Sequence, residues 1–177
     1  MSSSPRLIER WLPITEIGIE SLRERTPMTP FPAPNRLHVW WARRPLVASR
    51  AAILASLLPA DADHKKFMRA LGVHGDPVAA KRRIAAADRA GERLGANAYG
   101  YSRAFQWTPD KEDTEWLNSI LPFRAVVLDP TGGGGSIPLE AARLGYETYG
   151  NDLNPVAVLI QRATYEWPAK YGIALKT

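Results

Sequence analysis

The chain has 177 residues, 45% of them hydrophobic and 23% charged, with a formal net charge of +5, which is typical of a folded globular protein and excludes a disordered or fibrous chain. It contains no cysteine, which excludes disulfide bonds, zinc-thiolate sites and cysteine nucleophiles. The sequence holds no signal-peptide-like apolar segment and no apolar run of membrane-spanning length, so we expect a cytoplasmic protein that does not enter a membrane.

Residues 1–60 contain two helical patterns separated by a proline-rich run. Apolar side chains recur at helical spacing from Leu7 to Leu22, and the prolines between Thr26 and Pro34 cannot continue a helix. Pro45 suits the first turn of a second helix, which is predicted to end near Leu58. We therefore expect a mainly helical N-terminal domain over residues 1–60. This domain also carries nearly all of the excess of basic over acidic residues, which favours a polyanionic partner, although a solvated surface explains the charge alone more simply.

Residues 61–123 are polar, mixed in charge and interrupted by glycine, a composition that predicts an insertion of helices and loops. One helix is predicted to begin at Asp76 and Pro77. It contains the basic cluster Lys81-Arg82-Arg83, which is able to contact a phosphate backbone but is more often one solvated helix face.

Residues 124–177 show the clearest pattern. The apolar run Ala125–Leu128 predicts a strand buried on both faces of a parallel sheet. A glycine-rich loop, residues 129–136, follows, and its final serine is the expected N-cap of a helix. A strand over residues 146–152 and a helix from Asn154-Pro155 to about Tyr165 complete a β-loop-α-β-α unit of a doubly wound sheet.

The four consecutive glycines from Gly132 to Gly135 indicate a binding loop, because a backbone without Cβ atoms can approach a ligand closely. A phosphate-binding P-loop would continue with Gly-Lys-Ser/Thr, whereas Ser136 and Ile137 stand here. A dinucleotide fingerprint would need a glycine where Pro138 stands, so a nicotinamide cofactor is the weaker alternative.

Two aspartates favour S-adenosylmethionine as the cofactor. Asp129 ends the first predicted strand and Asp152 the second, 23 residues later, which matches one strand-helix-strand unit. An acid beside the glycine loop suits the cationic methionine end of this cofactor, and an acid on the next strand suits the ribose hydroxyls. The predicted cofactor-binding residues are Asp129, Thr131, Gly132, Gly133, Gly134, Gly135, Asp152, Leu153 and Asn154.

Residues 127–141 and 151–160 resemble motif I and the following acidic motif of adenine-specific DNA methylases. Residues 37–46, Leu-His-Val-Trp-Trp-Ala-Arg-Arg-Pro-Leu, are similar to a signature of the N-terminal domain of unknown function with which large bacterial and archaeal members of that family begin. The resemblance covers residues 6–58 and 124–168. It implies an α/β fold with an incomplete class I, Rossmann-like S-adenosylmethionine-dependent methyltransferase sheet, and it implies DNA methylation, as in restriction-modification or phage defence.

The chain departs from that family in two ways. Thr131 stands where many amino-methylases carry an aromatic residue, and no Pro-Pro pair occurs, so the Asn/Asp-Pro-Pro-aromatic motif that holds the flipped target base is absent. The 54 residues from Arg124 onward have room for two strand-helix units, fewer than the complete sheet of that fold. We therefore expect the cofactor-binding part of a methylase, inactive alone, with a C-terminal methylase portion on a separate chain or missing. A non-catalytic nucleic-acid-binding or cofactor-sensing module and a small-molecule methyltransferase fragment are the alternatives.

Two tryptophans and two arginines, Trp40, Trp41, Arg43 and Arg44, precede the helix predicted at Pro45, and Trp41, Arg43 and Arg44 are the candidate contact residues among them. They are suited to stack on bases and bind the phosphates of DNA, or to hold the methionine carboxylate of the cofactor at the N-terminus of that helix. The third interpretation is packing, with the tryptophans in the core and the arginines as their polar neighbours. No metal site is predicted, because the three histidines lack metal-ligand spacing, and no catalytic residue is assigned within the chain.

Overall fold

The computed structural model describes residues 4–26, 32–95, 97–121 and 125–172, and it shows a mixed α/β protein with a two-stranded parallel sheet. None of the described helices is both long enough and apolar enough to cross a membrane. The elements in chain order are α1 (Leu7–Arg10), α2 (Ile14–Arg25), α3 (Ala33–Leu37), α4 (Leu46–Leu57), α5 (His64–Ala70), α6 (Pro77–Arg89), a 3₁₀ turn (Ala104–Gln106), α7 (Lys111–Ile120), β1 (Val126–Asp129), α8 (Ser136–Arg143), β2 (Glu147–Gly150), α9 (Pro155–Gln161), a π-helical segment (Arg162–Glu166) and α10 (Trp167–Tyr171).

The helical pattern predicted from Leu7 to Leu22 forms two helices, α1 and α2, with Pro13 between them. Proline lacks the N–H that a continuous helix needs, so α2 begins only after it. Most of the proline-rich run, residues 27–31, lies outside the described residues. Pro34 lies in the first turn of α3, where a missing N–H costs no hydrogen bond.

Helix α4 lies at the centre of the hydrophobic core, and α1, α2 and α8 all pack on it. Val47, Ala51 and Leu54 recur at helical spacing along one face of α4, and each is at most 2% exposed. Trp116 and Leu117 from α7 belong to the same core cluster. The segment predicted as an insertion therefore packs on the N-terminal helices, while the domain boundaries at residues 60 and 123 stay predictions.

A fully buried ion pair joins α4 to α8. The Nε of Arg50 donates to Oε2 of Glu140 at 2.5 Å, and both side chains are 0% exposed. The other Arg50 nitrogens donate to the carbonyl oxygens of Leu71 at 3.3 Å and Trp107 at 2.8 Å. Arg143 donates to the second Glu140 oxygen at 2.6 Å. One network thus connects α4, α8, the end of α5 and the segment after the 3₁₀ turn.

Strands β1 and β2 are parallel, in a register that runs from the pair Val126–Glu147 to the pair Asp129–Gly150, and α8 connects them. Helix α8 packs on one face of this sheet. The other face exposes Val126 by 59%, Leu128 by 67% and Tyr149 by 55%. The prediction that the first strand is buried on both faces is therefore wrong, because no described element covers this second face.

The ends of the last helices differ in detail from the predictions. Gly135, with φ +76°, occupies the N-cap position of α8, so the prediction that Ser136 is the N-cap is wrong. The hydroxyl of Ser136 instead donates to the carbonyl oxygen of Arg44 at 2.8 Å. Asn154 is the N-cap of α9 as predicted, and the helix continues beyond Tyr165 through the π-helical segment into α10.

The Arg50 network predicts a large loss of stability when its carboxylate is removed. Glu140→Gln leaves the buried Arg50 charge without its counter-ion, so we expect the free energy of unfolding, measured in urea by circular dichroism, to fall by about 3–5 kcal/mol. Glu115→Gln is the matched control, because Glu115 forms an exposed pair with Lys111 at 3.6 Å. It should cost less than about 0.5 kcal/mol. Equal losses in the two variants would contradict a structural role for the buried pair.

Candidate functional site

The glycine-rich loop between β1 and α8 is held by backbone hydrogen bonds within the loop and to the residue that follows β2. The Gly132 amide donates to the carbonyl oxygen of Asn151 at 2.8 Å, and the Gly135 amide donates to that of Gly132 at 2.8 Å. Gly133 and Gly135 have φ values of +50° and +76°, a left-handed conformation that glycine adopts without strain. Glycine therefore suits these two positions of the loop, and the prediction that the loop binds a ligand stays a prediction.

Two side chains from distant parts of the chain lie against this loop. A Cβ on Gly133 would lie 2.9 Å from Nε1 of Trp40, and one on Gly134 would lie 3.0 Å from the Trp40 Cβ. A Cβ on Gly132 would lie 2.8 Å from Nε2 of Gln161, the atom that donates to the Gly133 carbonyl at 3.1 Å. Glycine is therefore required at positions 132–134 because other side chains of the chain pack closely on the loop. This reason for the glycines was not predicted from the sequence.

A cleft of about 310 Å³ separates the glycine loop from residues 40–44, at the lower end of the range for small-molecule sites. Several of the residues predicted to bind a cofactor line this cleft. They are Asp129, Thr131, Gly132, Gly133 and Gly134, and Trp40, Ala42, Arg43, Arg44, Ser136 and Ile137 complete the lining. The structure thus brings the Trp-Trp-Ala-Arg-Arg segment and the glycine loop together in one site.

Arg43 and Arg44 have different surroundings. Arg43 is 8% exposed and forms an ion pair with Glu24 of α2 at 2.5 Å. The second Glu24 oxygen accepts from the amide of Leu46 at 2.8 Å, so this carboxylate occupies the N-terminus of α4. Burial raises the pKa of the Glu24 carboxyl, and Arg43 opposes that shift. One prediction places the methionine carboxylate of the cofactor at this helix terminus. That carboxylate would have to displace Glu24.

Arg44 is the arginine of residues 40–44 whose guanidinium remains available to bind a ligand. Its side chain is exposed and makes no hydrogen bond or ion pair with any residue that the structure describes. An exposed guanidinium at the edge of a cleft can bind a carboxylate or a phosphate through two parallel hydrogen bonds. Of the two arginines, Arg44 is therefore the one suited to contact an anionic ligand.

Asp152 lies beside the loop but does not line the cleft. Its Oδ1 accepts from the Asn154 amide and its Oδ2 from the Gly133 amide, each at 2.8 Å. These two hydrogen bonds lower the pKa of the Asp152 carboxyl below its ordinary value of 3.8. A carboxylate has about four acceptor positions, so about two remain for a ligand. Asp129, at the end of β1, accepts from the Thr131 amide at 3.2 Å.

The remaining predicted site residues do not line the cleft. Trp41 is 89% exposed and Leu153 is 99% exposed. Asn154 uses its Oδ1 to accept from the Val156 amide at 2.9 Å as the cap of α9. Gly135 is buried beneath Gln161, where a Cβ would lie 3.0 Å from the Gln161 Cγ. Trp40 contacts the loop from a distance along the chain. The contact of Gln161 with the loop, and the presence of Ala42, Ser136 and Ile137 in the cleft, were not predicted from the sequence.

A family model described as a protein of unknown function (DUF1156) matches residues 11–85. The match includes α2 to α5 and most of α6, and with them Trp40, Trp41, Arg43 and Arg44, but neither the glycine loop nor the sheet. Comparison with curated proteins found no match, and comparison with solved structures found none. The chain is therefore similar to this family over its N-terminal part, and the resemblance of the loop to methylase motifs stays a prediction.

The contact between Gly132 and Gln161 predicts non-additive effects of substitution. Gly132 does not have a left-handed φ, so Gly132→Ala is opposed by contact with the buried Gln161 amide alone. We expect Gly132→Ala to lower the free energy of unfolding of the wild-type chain by about 1–3 kcal/mol. Introduced into the Gln161→Ala variant, the same substitution should lower the free energy of unfolding of that variant by much less. Gly18→Ala, in open space on α2, is the control and should stabilise by about 0.5–1 kcal/mol. An equal loss with and without Gln161 would show that this contact is not the cause.

The low pKa of Asp152 predicts a titration of the loop in acid. Because the folded-state pKa lies below 3.8, the hydrogen bond to Gly133 stabilises the fold above this pH and is lost as the pH falls through the lower value. The Gly133 amide resonance, followed by ¹H–¹⁵N NMR, should move in one transition with its midpoint below 3.8. Asp152→Asn should abolish that transition and leave the Lys65 amide, bound to Asp63, unaffected. A Gly133 transition that survives in Asp152→Asn would refute this assignment.

Proposed function

We propose that this chain binds S-adenosylmethionine and is the cofactor-binding part of a DNA adenine methyltransferase with a Rossmann-like class I sheet. The observation that carries the proposal is that Arg44 and Asp129, from separate parts of the chain, line one cleft together with glycine backbone. The methionine end of the cofactor is a zwitterion, which needs both a cation and an anion in its site. When bound, the cofactor supplies the methyl group.

Each residue has a distinct role in this proposal. Asp129 holds the ammonium group, Arg44 holds the carboxylate, and the glycine backbone lines the cleft beside them. Asp152 accepts hydrogen bonds from the ribose hydroxyls with the acceptor positions that Asn154 and Gly133 leave unused. Arg43 keeps a structural role, because its guanidinium is paired with the buried Glu24.

Methyl transfer to adenine requires more than these residues. The target amino group must be held in line with the methyl group by hydrogen-bond acceptors, and the sequence contains no Asn/Asp-Pro-Pro-aromatic motif to supply them. Asp129 and Asp152 are both assigned to the cofactor. We therefore propose that the chain alone transfers no methyl group and acts with a C-terminal methylase portion. Trp41 is our candidate for DNA contact, since aromatic faces stack on unpaired bases. It is 89% exposed and follows Trp40, which lines the cleft.

The sheet supports a partner of this kind. In a doubly wound sheet the first strand has a neighbour on each side, whereas β1 pairs with β2 alone among the described residues. Val126, Leu128 and Tyr149 form an apolar face that helices would cover in a complete fold. A partner that adds a strand beside β1 and a helical layer over this face would satisfy both requirements.

A second candidate is a nucleic-acid-binding or cofactor-sensing module without catalysis. The family match favours it, because the matched residues include Trp41 and Arg44 and end before the glycine loop. This candidate needs no second methylase portion. An adjacent reading frame that encodes an Asn/Asp-Pro-Pro-aromatic motif would favour the methyltransferase over the module.

Calorimetric titration with S-adenosylhomocysteine tests cofactor binding. We expect saturable heat, and we expect Arg44→Ala and Asp152→Ala each to raise the Kd by about tenfold or more, because each removes a charged hydrogen-bonding group. Asp63→Ala is the matched control, since Asp63 also accepts from two backbone amides but caps α5 outside the site.

The two variants separate ligand contact from loop distortion. Asp152→Ala releases the Gly133 amide and is able to disturb the loop, whereas the exposed Arg44 side chain has no bond to lose within the described residues. Absence of heat from the folded wild-type chain, or an unchanged Kd in Arg44→Ala and Asp152→Ala, would exclude the proposed site.

A further inference from the structure

A groove between α2 and α6 lies outside the proposed cofactor site. Two cavities of about 740 and 550 Å³ follow these helices and share Ile19, Leu22 and Lys81 in their walls, so they form one continuous groove. The region similar to the family of unknown function, residues 11–85, contains α2 and most of α6. Neither cavity contains a residue of the glycine loop or of the Trp-Trp-Ala-Arg-Arg segment.

The groove exposes large apolar side chains. Ile14 is 74% exposed, Leu22 59% and Leu94 45%, and all three line it. Ile19 lies beneath them and is 7% exposed. Large apolar side chains grouped along one groove, with a buried one at its base, are typical of a surface that contacts another molecule.

The edges of the groove carry a net positive charge, with Asp88 as the one acidic residue among the described residues that line it. Lys81, Arg82 and Arg93 are exposed and form no ion pair with any residue that the structure describes. Arg23 differs, because it is paired with Glu20 at 2.5 Å and lies 3.8 Å from the centre of the Tyr99 ring. The groove therefore combines an apolar base with basic edges, and a ligand must match both.

We propose that this groove binds an acidic amphipathic helix of a partner protein. The apolar residues of such a helix, at positions i, i+3 or i+4 and i+7, would pack on Ile14, Leu22 and Leu94, and its acidic residues would face Lys81 and Arg82. A nucleic-acid backbone fits less well, because the apolar base would remove water from phosphates without offering donors in return. The proposal does not depend on cofactor binding.

Fluorescence anisotropy with a designed peptide tests the groove. The probe is a fluorescein-labelled peptide of about 18 residues with leucines on one helical face and glutamates elsewhere. Two controls are a scrambled peptide of the same composition and a peptide with lysines in place of the glutamates. We expect saturable binding of the probe that weakens with salt, and binding of both controls that is weaker by about tenfold or more.

Variants of the chain locate the binding. Leu22→Glu and Lys81→Glu should each raise the Kd of the probe by about tenfold or more. Arg10→Glu, which makes the same charge change on an exposed residue of α1 outside the groove, should not. Circular dichroism confirms that each variant is folded, and titration of Leu22→Glu with S-adenosylhomocysteine reports the cofactor site separately.

Several outcomes would overturn the proposal. They are no binding of the acidic probe, equal binding of the scrambled peptide, or an unchanged Kd in both groove variants. Binding of a labelled DNA duplex that Lys81→Glu abolishes, without binding of the peptide, would assign the groove to nucleic acid instead.

Discussion

The buried ion pair between Arg50 and Glu140 is the constraint on which the rest of the structure depends. Two charges are stable inside a protein only when each remaining donor and acceptor has a partner, and here the carbonyl oxygens of Leu71 and Trp107 and the guanidinium of Arg143 complete the set. A sliding movement of α4 along α8 would leave the buried Arg50 charge without its carboxylate. Residues 40–44 lead into α4, and the glycine loop leads into α8, so the same pair holds the two walls of the cleft against each other.

Buried carboxylates act in the same way at the other junctions of α2. Glu24 binds Arg43 and the first amide of α4, and Glu20 accepts from the Tyr101 hydroxyl at 2.7 Å and from the Ala104 amide at 3.0 Å. Hydrophobic contact alone would tolerate several ways of packing these helices, whereas each charged group has one set of partners. The position of Arg44 in the cleft therefore follows from the contacts of Arg43, Glu24 and Glu20 rather than from contacts of the Arg44 side chain.

The parts of the fold that could be predicted are those with a local cause. Pro45, Asp76 and Asn154 mark helix starts because they act within one turn, and the β-loop-α-β-α order follows from periodicity and glycine. Helices α5 and α7 were missed although Asp63 and Asp110 cap them, because short charged segments show little apolar periodicity.

The contacts that complete the site have no such local cause. Trp40 lies far from the loop in the sequence, and Gln161 belongs to the next helix. Nothing in the composition of either segment indicates that it packs on glycine. Burial of β1 on one face alone was likewise not predictable, because the exposure of a strand depends on which elements cover it rather than on its own residues.

The backbone of the glycine loop provides a further argument about its ligand. Loops that bind phosphate or pyrophosphate do so with free backbone amides. Here the amides of Gly132, Gly133 and Gly135 are bound to Asn151, Asp152 and Gly132, and the Gly133 carbonyl accepts from Gln161. A pyrophosphate bound by these three amides would have to break these bonds, whereas a cofactor without one can lie against the loop as it stands. These bonds restrain the loop backbone, which lowers the entropy lost on binding, and the proposed S-adenosylmethionine, which has no pyrophosphate, would leave them intact.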